Sequence, residues 1–393
     1  MNYSLTENTF DFEEAKSIIT LIKSGDKLTY DKNVRKIEKI FAKLNKRKYC
    51  VMVNSGSSAN LLGISSLIFD DQFDLSAGDE IIVPSLSWST TYTPLIQYGI
   101  KLVFIDIEKL TLNIDVNLIE KAITKKTKGI FIANILGLSC DFHKLKHICK
   151  AYNLFLLEDN CESLLSKYKN ILSGTNGLFS TCSSYFSHHF STIEGGYLLT
   201  DNFRLYCNAL SLRSHGWTRE QPSKSHLLKK RYTYFEKSYK FLLPGYNLRP
   251  TEISAKLGII QIQKIKKFMN ARKQNAKKIY EIFKDLKSAY LQKYDPNSSF
   301  FGFAIILTKK LKKRRDIVIN YMKRNKIETR PIVSGDITKN PMVRFAKYRI
   351  PFHLKNTKYI DRNGFMIGNK SKKLTINEIK TLNNFKKFLS KFN

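Results

Sequence analysis

Short apolar runs recur between residues 50 and 200 at intervals of about 25 residues, and this spacing constrains the fold more than any other feature. Five of them are Cys50–Asn54, Glu80–Pro84, Lys101–Ile107, Gly129–Asn134 and Leu154–Asp159. Strands buried on both faces give continuous apolar runs of this length, and the intervals leave room for a crossover helix each time. The pattern predicts an α/β chain with a mainly parallel, doubly wound sheet. Two further runs, Thr181–Phe186 and Gly196–Thr200, read as strands joined by the loop Ser187–Gly195. After Pro250 the texture changes. Glu252 to Phe283 reads as one long helix, lysine-rich on one side, followed by a strand over Phe300–Leu307, a helix over Lys309–Asn325 and a less regular tail. At 393 residues the chain exceeds what one core usually spans. We therefore expect a large domain over 1–255, including an N-terminal helical segment, and a small C-terminal α+β domain over 256–393 with the long helix as hinge.

A net charge of +34 raises the possibility of nucleic-acid binding. The lysines are nevertheless spread along the chain, with local clusters at 122–128, 309–314 and 370–373, and are not gathered into one arm. Aromatic residues sit mostly inside apolar runs such as Phe300–Phe303 and are not interleaved with arginines. A solvated lysine-rich surface that attracts an anionic, phosphate-bearing substrate is the expectation, with no nucleic-acid partner. A catalytically silent basic protein that binds nucleic acid is the competing reading. No apolar run reaches about 18 residues, so no transmembrane helix is expected. The first 30 residues lack the basic start and apolar core of a signal peptide, which points to the cytoplasm. The six cysteines (Cys50, Cys140, Cys149, Cys161, Cys182 and Cys207) are scattered without a Cys-x-x-Cys pair, and no histidine cluster completes a zinc spacing. Buried free thiols and no metal site are expected.

In open α/β sheets, ligands sit beyond the carboxyl ends of the strands, so the residues just after each run come first. Asn54-Ser55-Gly56-Ser57-Ser58-Ala59-Asn60 is a strand entering a Gly/Ser turn, with a helix starting near Ser58. Free N–H groups and the helix dipole there suit an anion, although a serine N-cap needs no ligand. Leu156-Leu157-Glu158-Asp159-Asn160-Cys161-Glu162 ends a buried strand on acids, which is costly unless they are paired. Asp159 would suit a protonated heterocyclic nitrogen, and an ordinary helix N-cap explains it equally well. The third segment, Ser183 to Gly196, contains the adjacent pair His188-His189. Neighbours in an extended segment point to opposite sides, so one pocket would receive only one of them.

Together these segments resemble the fold-type-I, pyridoxal phosphate (PLP)-dependent sugar aminotransferase and dehydratase family over nearly the whole chain, least after about residue 290. The resemblance implies that Gly56, Ser57 and Ser183 cradle the cofactor phosphate, Trp88 stacks on its ring, Asp159 pairs with the ring nitrogen and Glu162 lies near the ring hydroxyl. Gly245-Tyr246-Asn247-Leu248-Arg249-Pro250-Thr251-Glu252 resembles the family signature before its long helix, where the asparagine reaches the neighbouring subunit's site. Asn247 thus implies a homodimer with shared active sites.

One departure from the family changes the expected chemistry. The aminotransferases carry lysine in the setting Ser-x-x-x-x-Lys before the Gly-Gly turn, and here Ser183 keeps that spacing to His188, with no lysine between Asn170 and Lys224. The segment His-His-x-Ser-Thr-x-Glu-Gly-Gly is similar to that of the family's 3-dehydratases of nucleotide-linked 4-keto-6-deoxy sugars, GDP-linked ones above all. The region Arg213 to Glu220 and beyond offers no cysteine for the iron–sulfur cluster of a CDP-linked relative, so no reductase partner is implied. Histidine cannot condense with the cofactor aldehyde. The resemblance therefore implies non-covalent PLP, a persistent pyridoxamine form (PMP), glutamate as amino donor, and His188 as base and then acid in loss of the C3 hydroxyl, with ammonia released. An unperturbed pKa of about 6.5 suits that exchange. Arg219 and Arg249 are candidates for the substrate diphosphate and His215 for a substrate hydrogen bond or a helix-end role, while His189 is taken as structural. An aminotransferase that uses a different amine is the rival within the family. Hexose and heptose substrates are not distinguished.

Overall fold

All seven apolar runs form strands in a computed structural model, which describes residues 2–229 and 232–393. They are β1 (Tyr49–Val53), β2 (Glu80–Pro84), β3 (Lys101–Ile105), β4 (Thr127–Ala133), β5 (Phe155–Asp159), β6 (Phe179–Ser183) and β7 (Gly196–Thr200). A two-residue strand far along the chain, Tyr348–Arg349, joins the edge, giving the order β1-β7-β6-β5-β4-β2-β3-(348–349). Strand β7 pairs antiparallel with both β1 and β6, and the remaining pairings are parallel. The apolar runs are continuous because alternate residues feed two cores. Val51, Ile81, Val83, Phe104 and Leu157 face one, while Ile82, Val103, Ile105, Ile130 and Leu156 face the other. The runs at 181–186 and 101–107 stop short of their predicted ends. The chain turns after Ser183 and after Ile105, where backbone hydrogen bonding passes from the ladder to turns.

The long helix spans Glu252–Phe283, as its sequence predicts. Thr251 caps it reciprocally with Ser254, and Pro250 precedes the cap. Glu252 also reaches back to accept the backbone N–H groups of Asp31, Asn33 and Val34. That contact satisfies the orphan donors of helix Lys32–Leu44 and ties the segment 245–252 to the N-terminal region. The tail is more regular than expected. Ala289–Leu291, Gly302–Leu307 and Gly364–Gly368 form a three-stranded antiparallel sheet, covered by helices Arg315–Arg324 and Ile376–Ser390. The predicted helix 309–325 begins late, since Lys309–Leu311 is a separate short turn of 3₁₀ helix. Strand 364–368 is too short and too mixed in its flanks to stand out in the sequence. Tyr3 is buried in the same C-terminal core, its hydroxyl donating to the Gly368 carbonyl. Among the described residues, no helix is long and apolar enough to cross a membrane.

Candidate active site

The carboxyl ends of β1, β2, β4, β5 and β6 open onto one cleft of about 410 Å³. Seven of the residues singled out in the sequence meet there: Gly56, Ser57, Trp88, Asp159, Glu162, Ser183 and His188. Cys161 also lines it and is partly exposed, so the expectation of uniformly buried thiols fails at that one position; the other five cysteines are buried.

The turn after β1 feeds helix Gly56–Ile68, whose N-cap is Ser55. Gly56 and Ser57, the first two residues of that helix, line the cleft, and the first-turn N–H groups of a helix have no intrahelical acceptor. A Cβ at position 56 would stand 2.7 Å from the Ser183 Cβ and 3.0 Å from the Cys161 Sγ, so only glycine lets the two loops come this close. The Ser57 hydroxyl donates to the Thr90 hydroxyl at 2.9 Å, adding a third hydroxyl to those of Ser57 and Ser183. This polar concavity at a helix N-terminus fits a phosphate group.

Strand alternation separates two neighbouring acids at the end of β5. Glu158 turns away and is wholly buried, accepting the N–H groups of Gly174, Asn176 and Gly177 at 2.7 Å each. Asp159 turns into the cleft and accepts from Asn60 Nδ2 (2.8 Å), the Thr91 hydroxyl (2.7 Å) and the Cys161 N–H (3.2 Å). All three are neutral donors, and no cation pairs with Asp159 among the described residues. A protonated ring nitrogen would complete the pair. Trp88, 53% exposed at the start of helix Ser89–Gln97, lines the same space.

Glu162 accepts the Leu136 N–H at 3.0 Å and stands 3.8 Å from Arg330. Burial raises its carboxyl pKa, against the opposing pull of Arg330. His188 is half-buried, with its ring edge-on to Phe301 at 5.0 Å and to Tyr185 at 6.0 Å. Its Nδ1 is buried without a hydrogen-bond partner among the described residues. Burial first, then the charges of Arg330 and Arg272, lower its pKa to about 3. The cleft thus contains a neutral imidazole, a proton acceptor. His189 is buried and does not line the cleft; its Nε2 lies 3.3 Å from the Ser299 carbonyl and its ring 5.7 Å from that of Phe301. The two histidines therefore diverge as expected, although the segment is a tight turn, with His188 N–H donating to the Tyr185 carbonyl, and not an extended strand. Among the described residues, no lysine lines the cleft.

His215, Arg219, Asn247 and Arg249 lie outside this chain's cleft, gathered around Trp217. The ring of His215 lies 4.8 Å from that of Trp217, the Arg219 guanidinium sits 4.1 Å over it and that of Arg249 5.6 Å, and Arg249 Nε donates to Asn247 Oδ1. Arg249 lines a small depression that shares Glu194 with the cleft. Sequence reasoning missed Asn60, Thr90, Thr91 and Arg330. Asn60 follows Gly56 by one helical turn and was findable on that ground. Arg330 comes from an irregular stretch of the C-terminal part and carries no local signal.

The model of the DegT/DnrJ/EryC1/StrS aminotransferase family matches residues 9–381. The chain is 43% identical over 371 residues to GDP-4-keto-6-deoxy-D-mannose 3-dehydratase of Yersinia pseudotuberculosis, covering 94% of each. The E. coli enzyme of that name, solved with bound hydrated PLP, superposes with a TM-score of 0.94 at 40% identity, over 98% of this chain and 99% of that one. A structure of GDP-4-keto-6-deoxymannose-3-dehydratase with a trapped PLP-glutamate geminal diamine gives 0.93 at 39% identity, over 98% and 100%.

Proposed function

The chain belongs to the DegT/DnrJ/EryC1/StrS aminotransferase family, and on that premise we propose that it is a PLP/PMP-dependent C3-dehydratase of a nucleotide-linked 4-keto-6-deoxy sugar. The substrate is GDP-linked, the amino donor is glutamate, and the product is a 3-deoxy-4-keto sugar for surface polysaccharide, made in the cytoplasm. The observation that carries this reading is the His188 imidazole in the cleft that Asp159 also lines, with no lysine there among the described residues.

The cofactor, when bound, supplies an amine that condenses with the sugar's C4 ketone and a ring that accepts and returns electrons. The rest falls to this chain. Gly56, Ser57, Thr90 and Ser183 hold the phosphate, and Trp88 covers one face of the ring. Asp159 keeps the ring nitrogen protonated, and Glu162 meets the ring hydroxyl. His188 takes a proton from the cofactor's methylene carbon and returns it to the departing C3 hydroxyl. Arg330 is the cleft's own cation, and its terminal nitrogens make no hydrogen bond among the described residues, so it receives an anionic group of glutamate or of the sugar nucleotide. Loss of oxygen from C3 is balanced by oxidation of glutamate to its keto acid and ammonia. No reductase is required. Asn247, His215, Arg219 and Arg249 serve the cleft of a second copy in a homodimer, since they gather around Trp217, outside this chain's own cleft.

The test is a product balance. Purified chain with PLP, glutamate and GDP-4-keto-6-deoxymannose should give keto acid, ammonia and 3-deoxy sugar in equal amounts. A sugar product that retains nitrogen would make the protein an aminotransferase. The phosphate cradle has its own test: Gly56→Ala should weaken PMP binding, read by fluorescence titration, by at least about tenfold, or about 1.4 kcal/mol, because the added methyl forces Ser183 away.

A further inference from the structure

Two arginines are among the largest fully buried side chains. Arg213 is balanced by Glu38 and Glu220. Arg272, on the long helix, forms no ion pair among the described residues and spends its donors on backbone carbonyls and one hydroxyl. Nη2 donates to the His188 carbonyl at 3.2 Å, Nη1 to the carbonyls of Phe300 (3.4 Å) and Phe301 (3.3 Å), and Nε to the Ser371 hydroxyl (3.3 Å). Burying a guanidinium without a carboxylate costs several kcal/mol even when it is hydrogen-bonded. A leucine or methionine would fill the same space at no such cost, so packing does not account for the charge.

What the guanidinium joins is specific. It grips the peptide of His188 and the peptide of Phe301, the ring on which the His188 imidazole rests. The other end of His188 is fixed by its N–H to the Tyr185 carbonyl. The Phe300 peptide that Arg272 also holds has φ 47°, a left-handed conformation that a phenylalanine adopts only when its surroundings impose it. We infer that Arg272 is a positioning residue, a buried clamp that sets the height and tilt of the His188 imidazole by fixing its backbone to that of Phe301. This rests on the reading of His188 as the proton-transfer group.

The charge has a second effect. His188 is faced by Arg330 across the cleft and by Arg272 from the long helix, with His189 and Tyr185 on its own segment and Asp159, Glu162 and Glu194 lining the same cleft. Removing Arg272 takes away one of the two cations that disfavour the imidazolium, so the imidazole should titrate at higher pH.

Holoenzyme carrying Arg272→Lys or Arg272→Met provides the test, with kcat, KM for the sugar nucleotide, and the His188 imidazole titration followed by NMR (assigned with His188→Asn). For Arg272→Lys, which keeps the charge but loses the fork, we expect kcat at least tenfold lower, KM within twofold and an unchanged His188 titration. For Arg272→Met we expect at least the same loss of kcat, with the titration midpoint moved upward. A folded Arg272→Lys holoenzyme with wild-type kcat overturns the clamp, and this variant decides alone where Arg272→Met does not fold. An Arg272→Met enzyme with wild-type kcat and titration, and only a lower Tm, overturns it too. Full dehydration by His188→Asn would instead remove the reading of His188, whatever Arg272 does.

Discussion

Replacing His188 with asparagine should lower kcat for dehydration by about 10³-fold, within the range for loss of a positioned acid–base group, and leave cofactor binding within a few-fold. The imidazole is lowered to about pKa 3 by burial, then by Arg330 and Arg272, so it is neutral at working pH and is a proton acceptor in the free enzyme. Because the folded pKa lies below the ordinary value, no falling acid limb of kcat/KM should arise from His188 above about pH 5, a feature a pH profile of the free enzyme checks directly. Asparagine removes the acceptor without stranding a neighbour, because His188 Nδ1 has no hydrogen-bond partner among the described residues. His188→Lys should be equally poor at dehydration but should gain an amine able to attack the cofactor aldehyde. Retained dehydration in either variant, measured by release of ammonia, would contradict the assignment.

Asp159→Asn should be the second severe loss, about 10²–10³ in kcat, as for other groups that stabilise developing charge. The carboxylate now accepts three hydrogen bonds, from Asn60, Thr91 and the Cys161 N–H. An amide in its place must turn its NH₂ towards the Cys161 N–H or towards the Asn60–Thr91 pair, so at least one buried donor goes unmet, at about 1–3 kcal/mol of stability. The catalytic loss exceeds that structural penalty because a neutral amide cannot hold the proton on the ring nitrogen. Absorbance of the bound cofactor across pH reads this separately from folding: the variant should release that proton at lower pH than the wild type. An unchanged spectrum and rate in a stable variant would reduce Asp159 to a helix-end cap.

The sheet was legible because burial on both faces makes most of its strands largely apolar runs, and because crossovers impose a spacing. The long helix was legible from Pro250 before it and from the lysine-rich side that runs along it. Strand 364–368 and helix 376–390 were not, since their sequences, GFMIG and a lysine-rich 15-mer, carry weak periodicity and are fixed by packing against 302–307 and the long helix. At the site, Gly56, Asp159, Ser183 and His188 were findable because each ends a strand or lies in the loop that leaves one. Glu158 shows the limit of that rule: it sits beside Asp159 in sequence and lies on the opposite face of the strand, fully engaged with backbone N–H groups. Arg330 and Arg272 reach His188 only through tertiary structure, one from an irregular loop and one from the middle of a helix, where an arginine reads as a solvated face. The placement of Asn247, Arg219 and Arg249 away from the cleft follows from the backbone, which bonds Leu248 to both Arg213 and Asn54 and so holds the segment beyond the end of β1.

The most direct test of an imidazole in the lysine's place is the intact mass of the chain after PLP loading and borohydride reduction. Wild-type protein should return at its unmodified mass, while His188→Lys should gain one pyridoxyl group. A pyridoxyl adduct on the wild-type chain would mean that some lysine captures the cofactor after all, and the non-covalent account would fail.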